Sequence, residues 1–233
     1  MNAASIPRCS RRAGARRILF PTSLSRMVSP TLPVRARKVY DEAYFARWYR
    51  DPRTRVHSPE SVRRKVRMVV GVAEYFLRRK VRSVLDIGAG EGAWRAELRR
   101  LRPAIHYLGI DPSEYVVRRH GRRRNIRLGS FEDLETMTLR KSYDLVVCAD
   151  VIQYVPDGAL ERGVRRISSI VSGLAYLESY TTGDEMEGDL SGWHPRSKAR
   201  YRALFARAGL VGCGLHCYVT PRRAERSVEL ELV

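Results

Sequence analysis

A chain of 233 residues, 44% of them apolar, is long enough for one domain with a substantial core. The formal net charge of +19 is unevenly spread: nine Arg or Lys and no Asp or Glu precede Asp41, leaving about +10 for the remainder. No apolar run approaches the roughly 20 residues of a membrane-spanning helix, which excludes that class. The four cysteines at 9, 148, 213 and 217 show no pairing pattern of a secreted scaffold and suit a reducing cytoplasm.

Residues 1–38 are rich in Arg, Ser and Pro and carry no acid, which reads as a disordered basic tail. The same composition suits an organelle transit peptide or a nucleic-acid arm, and Met27 could begin a complete protein, setting residues 1–26 apart. Residues 39–80 read as N-terminal helices capping the body. Tyr40, Tyr44, Phe45, Trp48 and Tyr49 recur at helical spacing, either as a core stripe or as a lid over a ligand. In the next helix Ser58 suits the N-cap, Pro59 the first helical position and Glu60 the positive end of the dipole. Val62, Val66, Val69, Val70, Ala73, Phe76 and Leu77 then share one face, with Arg63, Arg64 and Arg67 off it, so this helix is expected to pack on a sheet.

From 81 to 233 strands and helices alternate, which argues for a doubly wound α/β fold, a mainly parallel sheet between two helical layers. Strands are predicted near 83–87, 106–110, 126–130, 143–149 and 174–180. Leu160, Val164, Ile167 and Val171 trace a helix that Gly173 can terminate; Tyr201, Leu204, Phe205 and Ala208 trace another ending at Gly209. Val211–Val219 and Ser227–Val233 read as extended runs so close together that they must form an antiparallel hairpin, since a parallel crossover takes roughly a dozen residues. Cys213, His216 and Cys217 suggest metal ligands, but on a strand His216 points away from the face shared by the two cysteines, so no metal is expected.

The chemistry-bearing motif is Val84-Leu85-Asp86-Ile87-Gly88-Ala89-Gly90-Glu91-Gly92, followed by Gly109-Ile110-Asp111. An apolar strand enters a glycine-rich turn and the next strand ends in a carboxylate. An α/β sheet holds an adenine nucleoside in this way: glycines let the backbone approach, and the later acid accepts from the ribose hydroxyls. A dinucleotide would bring its pyrophosphate to the turn, where Asp86 repels it. The ammonium and sulfonium of S-adenosylmethionine, which has no phosphate, tolerate acids at 86 and 91.

In this acid-apolar-Gly-x-Gly-x-Gly form and its later acid the chain resembles the class I S-adenosylmethionine-dependent methyltransferases. The resemblance covers roughly residues 80 to 220 and implies a seven-stranded sheet ordered 3-2-1-4-5-7-6 that ends in an antiparallel hairpin. It implies S-adenosylmethionine as cofactor, held by Asp86, Gly88, Gly90, Glu91, Gly92, Asp111, Pro112, Ser130, Phe131, Cys148 and Asp150. Among these, Asp86 would lie near the ammonium, Asp111 on the ribose, and Ser130 and Phe131 at the adenine.

The acceptor side is less patterned. Tyr154 stands where many small-molecule enzymes of the resembled family have a histidine, and the tetrapeptide with which base-methylating members grip a planar amine is absent. The acidic loop Tyr180–Asp189 follows a strand end and either holds a cationic substrate or balances a basic surface. His194 is a weak candidate for a general base, as is Tyr154. The run Arg118-Arg119-His120-Gly121-Arg122-Arg123-Arg124 lacks interleaved aromatics and reads as a solvated surface, so nucleic acid is possible but not favoured. A small-molecule acceptor is the leading expectation. An RNA or protein methyltransferase and a non-catalytic S-adenosylmethionine-binding module are the alternatives, and nothing in the sequence sets the oligomeric state.

Overall fold

Apolar runs of five to eight residues with no exposed face supply the central strands, as a parallel sheet covered on both sides requires. The computed structural model describes residues 38–185 and 188–233; the basic tail, up to residue 37, lies outside them. Five parallel strands come first: β1 (Ser83–Ile87), β2 (His106–Asp111), β3 (Ile126–Leu128), β4 (Tyr143–Ala149) and β5 (Val171–Glu178). β6 (Val211–Gly212) and β7 (Cys217–Val219) form an antiparallel hairpin, and the sheet order is 3-2-1-4-5-7-6. Ile87 pairs with Ile110 and with Cys148, and Cys148 with Leu177, so β1, β2, β4 and β5 end at the same level.

Helix α1 (Glu42–Phe45) is capped by the Asp41 carboxylate, which accepts from Tyr44 N at 2.8 Å, and continues as a π-helical turn over Ala46–Arg50. Helix α2 (Pro59–Leu77) starts as its residues dictate, Ser58 Oγ accepting from Ser61 N at 3.0 Å and Glu60 pairing with Arg63 and Arg64. After α3 (Ala93–Leu101), the short α4 (Glu114–Val116), a π-helical turn (Val117–Gly121) and α5 (Arg122–Arg124) carry the arginine run. The remaining helices are α6 (Asp157–Ile170), α7 (Lys198–Arg207) and α8 (Pro221–Ala224).

Alternation along the strands divides the core. Leu85, Ile87, Leu108, Ile110, Val146 and Cys148 face α6 and α7, whereas Val84, Tyr107, Leu145, Val147 and Tyr176 face α2 and α3. Each large aliphatic side chain fully buried this way contributes about 1.5–3 kcal/mol. On α2 the predicted stripe is the packed face: Val66, Val69, Val70, Ala73 and Leu77 are buried, Val62 and Phe76 partly so.

The structure corrects several of these sequence expectations. Gly173 does not terminate α6; the helix ends at Ile170, β5 begins at the next residue, and Gly173 lies inside it. A Cβ there would stand 2.3 Å from the Asp144 carbonyl oxygen and 2.9 Å from Leu77, so close packing rather than helix capping explains the glycine. The hairpin forms within 211–219 alone, because Gly214, Leu215 and His216 all have positive φ and turn the chain back. Ser227–Val233 is therefore not a strand: it holds a 3₁₀ turn at Glu229–Glu231 and adds one bond to the sheet, Val233 N to Gly212 O at 2.9 Å. The argument about Cys213, His216 and Cys217 changes with it, since the two cysteines flank a turn in which His216 lies rather than sharing one strand with it. The third strand also stops at Leu128 and the fifth runs 171–178, two residues short of the predicted end.

Two glycines give opposite expectations. Gly173→Ala should lower stability by about 1–3 kcal/mol through overpacking, whereas Gly71→Ala, on the exposed face of α2 with nothing within 4 Å, should raise it by about 0.5–1 kcal/mol. Urea unfolding midpoints of the two variants check both signs.

Candidate functional site

The glycine turn follows β1 directly. Gly88, Gly90 and Gly92 have φ of 73°, 52° and 83°, values that side-chain-bearing residues adopt at a cost. Gly88 N and Ala89 N donate to Ile110 O at 2.8 and 3.0 Å, folding the turn over the end of β2. There Asp111 is fixed from two sides: Gly90 N donates to Oδ2 at 2.7 Å and Ser113 N to Oδ1 at 2.9 Å. Burial nevertheless raises the Asp111 pKa to about 6, outweighing the two backbone bonds. Asp86 points to the α2 side of the sheet, where Tyr107 Oη donates to it at 2.6 Å. Burial pushes it up to about 7; the tyrosine bond pulls it down, and the Asp111 charge pushes it up further.

A cleft of about 1120 Å³ opens over these strand ends. Its floor brings together Gly88, Gly90, Glu91, Asp111, Pro112, Ser130, Phe131, Asp150 and Tyr154, which the sequence had placed on four separate strand-to-helix connections. Tyr40, Tyr44, Phe45, Trp48, Tyr49 and His57 line it from the N-terminal segment that precedes α2. This roof is tied down by Ser113 Oγ, which donates to Tyr40 O at 2.5 Å, and by Phe45, buried against Ala89, Val116 and Ile126. The aromatic stripe is therefore both core and cleft wall.

Among the described residues, four expected site residues do not line the cleft. Asp86 sits behind the turn; Gly92 heads α3 against Arg124 and Ile126. Cys148 is fully buried in the core, where burial pushes its thiol pKa well up. His194 donates its backbone N–H to Gln153 O at 2.8 Å. Phe131 presents itself to the cleft while packing against α6 at Gly163, and Ser130 Oγ donates to Asp133 at 2.8 Å.

The structure also recruits residues that sequence reasoning did not single out. Lys65 on α2 donates to both oxygens of Glu178, at 2.6 and 2.8 Å, across 113 positions of sequence. Lys38 pairs with Asp189 at 2.7 Å and lies 4.3 Å from the ring centroid of Tyr154, whose hydroxyl donates to Asp189 O at 2.8 Å. The acidic loop thus contributes Asp189 to the cleft, while Asp184 caps its own turn at Thr181. The arginine run is partly engaged, with Arg118 on the cleft wall and Arg124 donating to Glu91 O.

Beside Glu178, Asp150 has a left-handed backbone, φ 59°, uncommon for a residue with a side chain. Gln153 Nε2 donates to its Oδ1 at 2.5 Å, and His57 Nε2 stands 4.0 Å from its Oδ2. Burial, then the Glu178 charge, raises Asp150 to about 6; burial, then the Lys65 charge, lowers the His57 pKa.

Sheet order, glycine turn and paired strand-end acids together define a nucleoside-binding methyltransferase fold. The family described as "Methyltransferase domain" matches residues 60–220, and the chain belongs to it, as a class I member whose cofactor is S-adenosylmethionine. A malonyl-[acyl-carrier protein] O-methyltransferase of Bacillus cereus is 26% identical over 117 residues, covering 49% of this chain and 43% of that protein. The chain therefore matches less than half the length of that relative. In fold it is similar to a SAM dependent methyltransferase from Archaeoglobus fulgidus (18% identity, 66% of this chain and 69% of that one, TM-score 0.50). It is equally similar to the [4+2]-cyclase SpnF (16% identity, 70% and 62% covered, TM-score 0.50).

A pH dependence follows from the raised carboxyl groups. Their folded values lie above the unfolded ones, so they cost the ligand-free chain stability at high pH, and this cost shrinks as pH falls through about 7 to about 6. A cationic ligand needs the ionised forms and weakens over the same interval. The increase in melting temperature on adding S-adenosylmethionine should be clearly smaller at about pH 5.5 than at about pH 8; equal increases at both would contradict this reading.

Proposed function

We propose that the chain transfers a methyl group from S-adenosylmethionine to an O, N or C atom of a small-molecule acceptor in the cytoplasm. One observation supports this above the others: Asp111 is held at a strand end by Gly90 N and Ser113 N, beside a turn of glycines without Cβ atoms, on the wall of a roofed cleft. The residues present fit the cofactor. In the proposal Asp111 holds the ribose hydroxyls, the backbone at Gly88 and Gly90 approaches the methionine portion, and Pro112, Ser130 and Phe131 bound the adenine. Glu91 and Asp150 offer negative charge from the walls, and Asp86 from behind the turn.

When bound, the cofactor supplies an activated methyl carbon. The chain's share of the rate then comes from alignment and exclusion of water. The aromatic roof serves both, and its tyrosine faces attract cations by about 0.5–2 kcal/mol each. A small acceptor suits a cleft closed over by Tyr40, Tyr44 and His57.

A carboxylate accepting from two hydroxyls contributes about 1.5–3 kcal/mol, so Asp111→Ala should weaken S-adenosylhomocysteine binding by about tenfold or more. Calorimetry on the folded variant checks this, and unchanged affinity refutes the assignment. Metabolite extract incubated with methyl-labelled S-adenosylmethionine tests transfer itself. Binding without transfer to any acceptor would favour a non-catalytic module.

A further inference from the structure

Proposed cofactor binding draws on the negative charge of Asp150 but leaves its pairing with His57 unused, and the geometry of that pair is specific. Asp150 follows β4, and its neighbour Val151 lies against the glycine turn, 2.2 Å from where a Cβ on Gly88 would stand, so the carboxylate borders the cofactor region. Gln153 holds Oδ1, whereas Oδ2 lies 4.0 Å from His57 Nε2, and both residues line the cleft. Nε2 of His57 is shut off from solvent and has no hydrogen-bond partner, an unusual state for a ring nitrogen. The charged groups around the pair are Lys65 from α2 and Glu178 from β5, which neutralise each other, and Lys38 from the N-terminal segment.

We propose that Asp150, backed by His57, accepts the proton of a hydroxyl-bearing acceptor, which makes Asp150 a catalytic residue and His57 a positioning residue. This rests on the methyl-transfer reading. The acceptor oxygen bonds the methyl carbon, the electron pair of the broken carbon–sulfur bond stays on sulfur, and the O–H proton passes to Asp150 Oδ2. The chemistry selects the hydroxyl. A carboxylate arrives without a proton and needs no base, whereas an alkyl ammonium holds its proton too firmly for groups that titrate near neutrality. A neutral hydroxyl brings a proton that must leave as the new bond forms. Burial of both partners supports the assignment, because it raises Asp150 to about 6 and lowers His57, which narrows the gap between their proton affinities.

Three measurements on the full chain test it. Carbon-13 imidazole NMR of the ligand-free protein should show the His57 inflection moving to lower pH in Asp150→Asn, as the carboxylate no longer favours the imidazolium; an unmoved inflection overturns the pairing. S-adenosylhomocysteine calorimetry should give a His57→Gln affinity within about threefold of the parent, and the Asp150→Asn rates are taken at saturating cofactor so that any loss of cofactor affinity is separated from kcat. Initial rates with labelled S-adenosylmethionine against simple phenols, alcohols and carboxylic acids should show transfer to hydroxyls. There, kcat should fall about 100-fold or more in Asp150→Asn, and the acid limb should move to higher pH in His57→Gln. Unchanged kcat, a loss confined to cofactor affinity, or preference for carboxylic acids overturns the proposal. If the parent binds no S-adenosylhomocysteine, the methyl-transfer reading fails instead, and the NMR result still decides whether the pair exists.

Discussion

The site depends on the clamp between the Asp111 carboxylate and two backbone N–H groups, Gly90 on one side and Ser113 on the other. A carboxylate buried at the end of a strand is unfavourable unless its oxygens are met by donors. Meeting them from the turn after β1 and the loop after β2 locks those two connections to each other. The glycines are needed for this: a turn at φ 52–83° that folds back onto Ile110 O brings Gly90 N within 2.7 Å of the acid. The same loop reaches upward, Ser113 Oγ holding the Tyr40 carbonyl, so one short segment fixes both floor and roof.

Around this clamp the protein gathers negative charge although the chain as a whole is strongly basic. Asp86, Asp111 and Asp150 all stand at or near the ends of parallel strands, and burial raises all three. Such a cluster is costly without a cation, and under the proposed function a bound cationic cofactor would relieve that electrostatic cost. Lys38 and Lys65 bring positive charge near Asp150 in the ligand-free chain, each paired with another acid, Asp189 and Glu178.

Much of this was legible in the residues. Strands β1 and β4 fall where the apolar runs place them, the cap of α2 is the one that Ser58 and Pro59 announce, and the sheet order agrees with the resemblance. The hairpin was legible as a necessity and misread in position, because alternation in Ser227–Val233 looks like a strand while the reversal depends on left-handed φ at Leu215 and His216. Gly173 was misread for a related reason. A glycine after an apolar helix looks like a cap, and only the approach of Asp144 and Leu77 shows it to be a packing requirement. Cys148 was placed in the site by its position in the chain, but alternation sends it to the core.

The sequence by itself determined the local chemistry: where the glycine turn lies, which strand precedes it, and that an acid ends the next strand. These are properties of neighbouring residues, readable from spacing. Tertiary structure alone decided which distant residues complete the cleft. Lys65 meets Glu178, Lys38 meets Asp189 and His57 meets Asp150 because a parallel sheet brings its strand ends to one level and the N-terminal helices cross over them. No periodicity within a segment encodes such meetings, since each partner is set by the packing of a different layer.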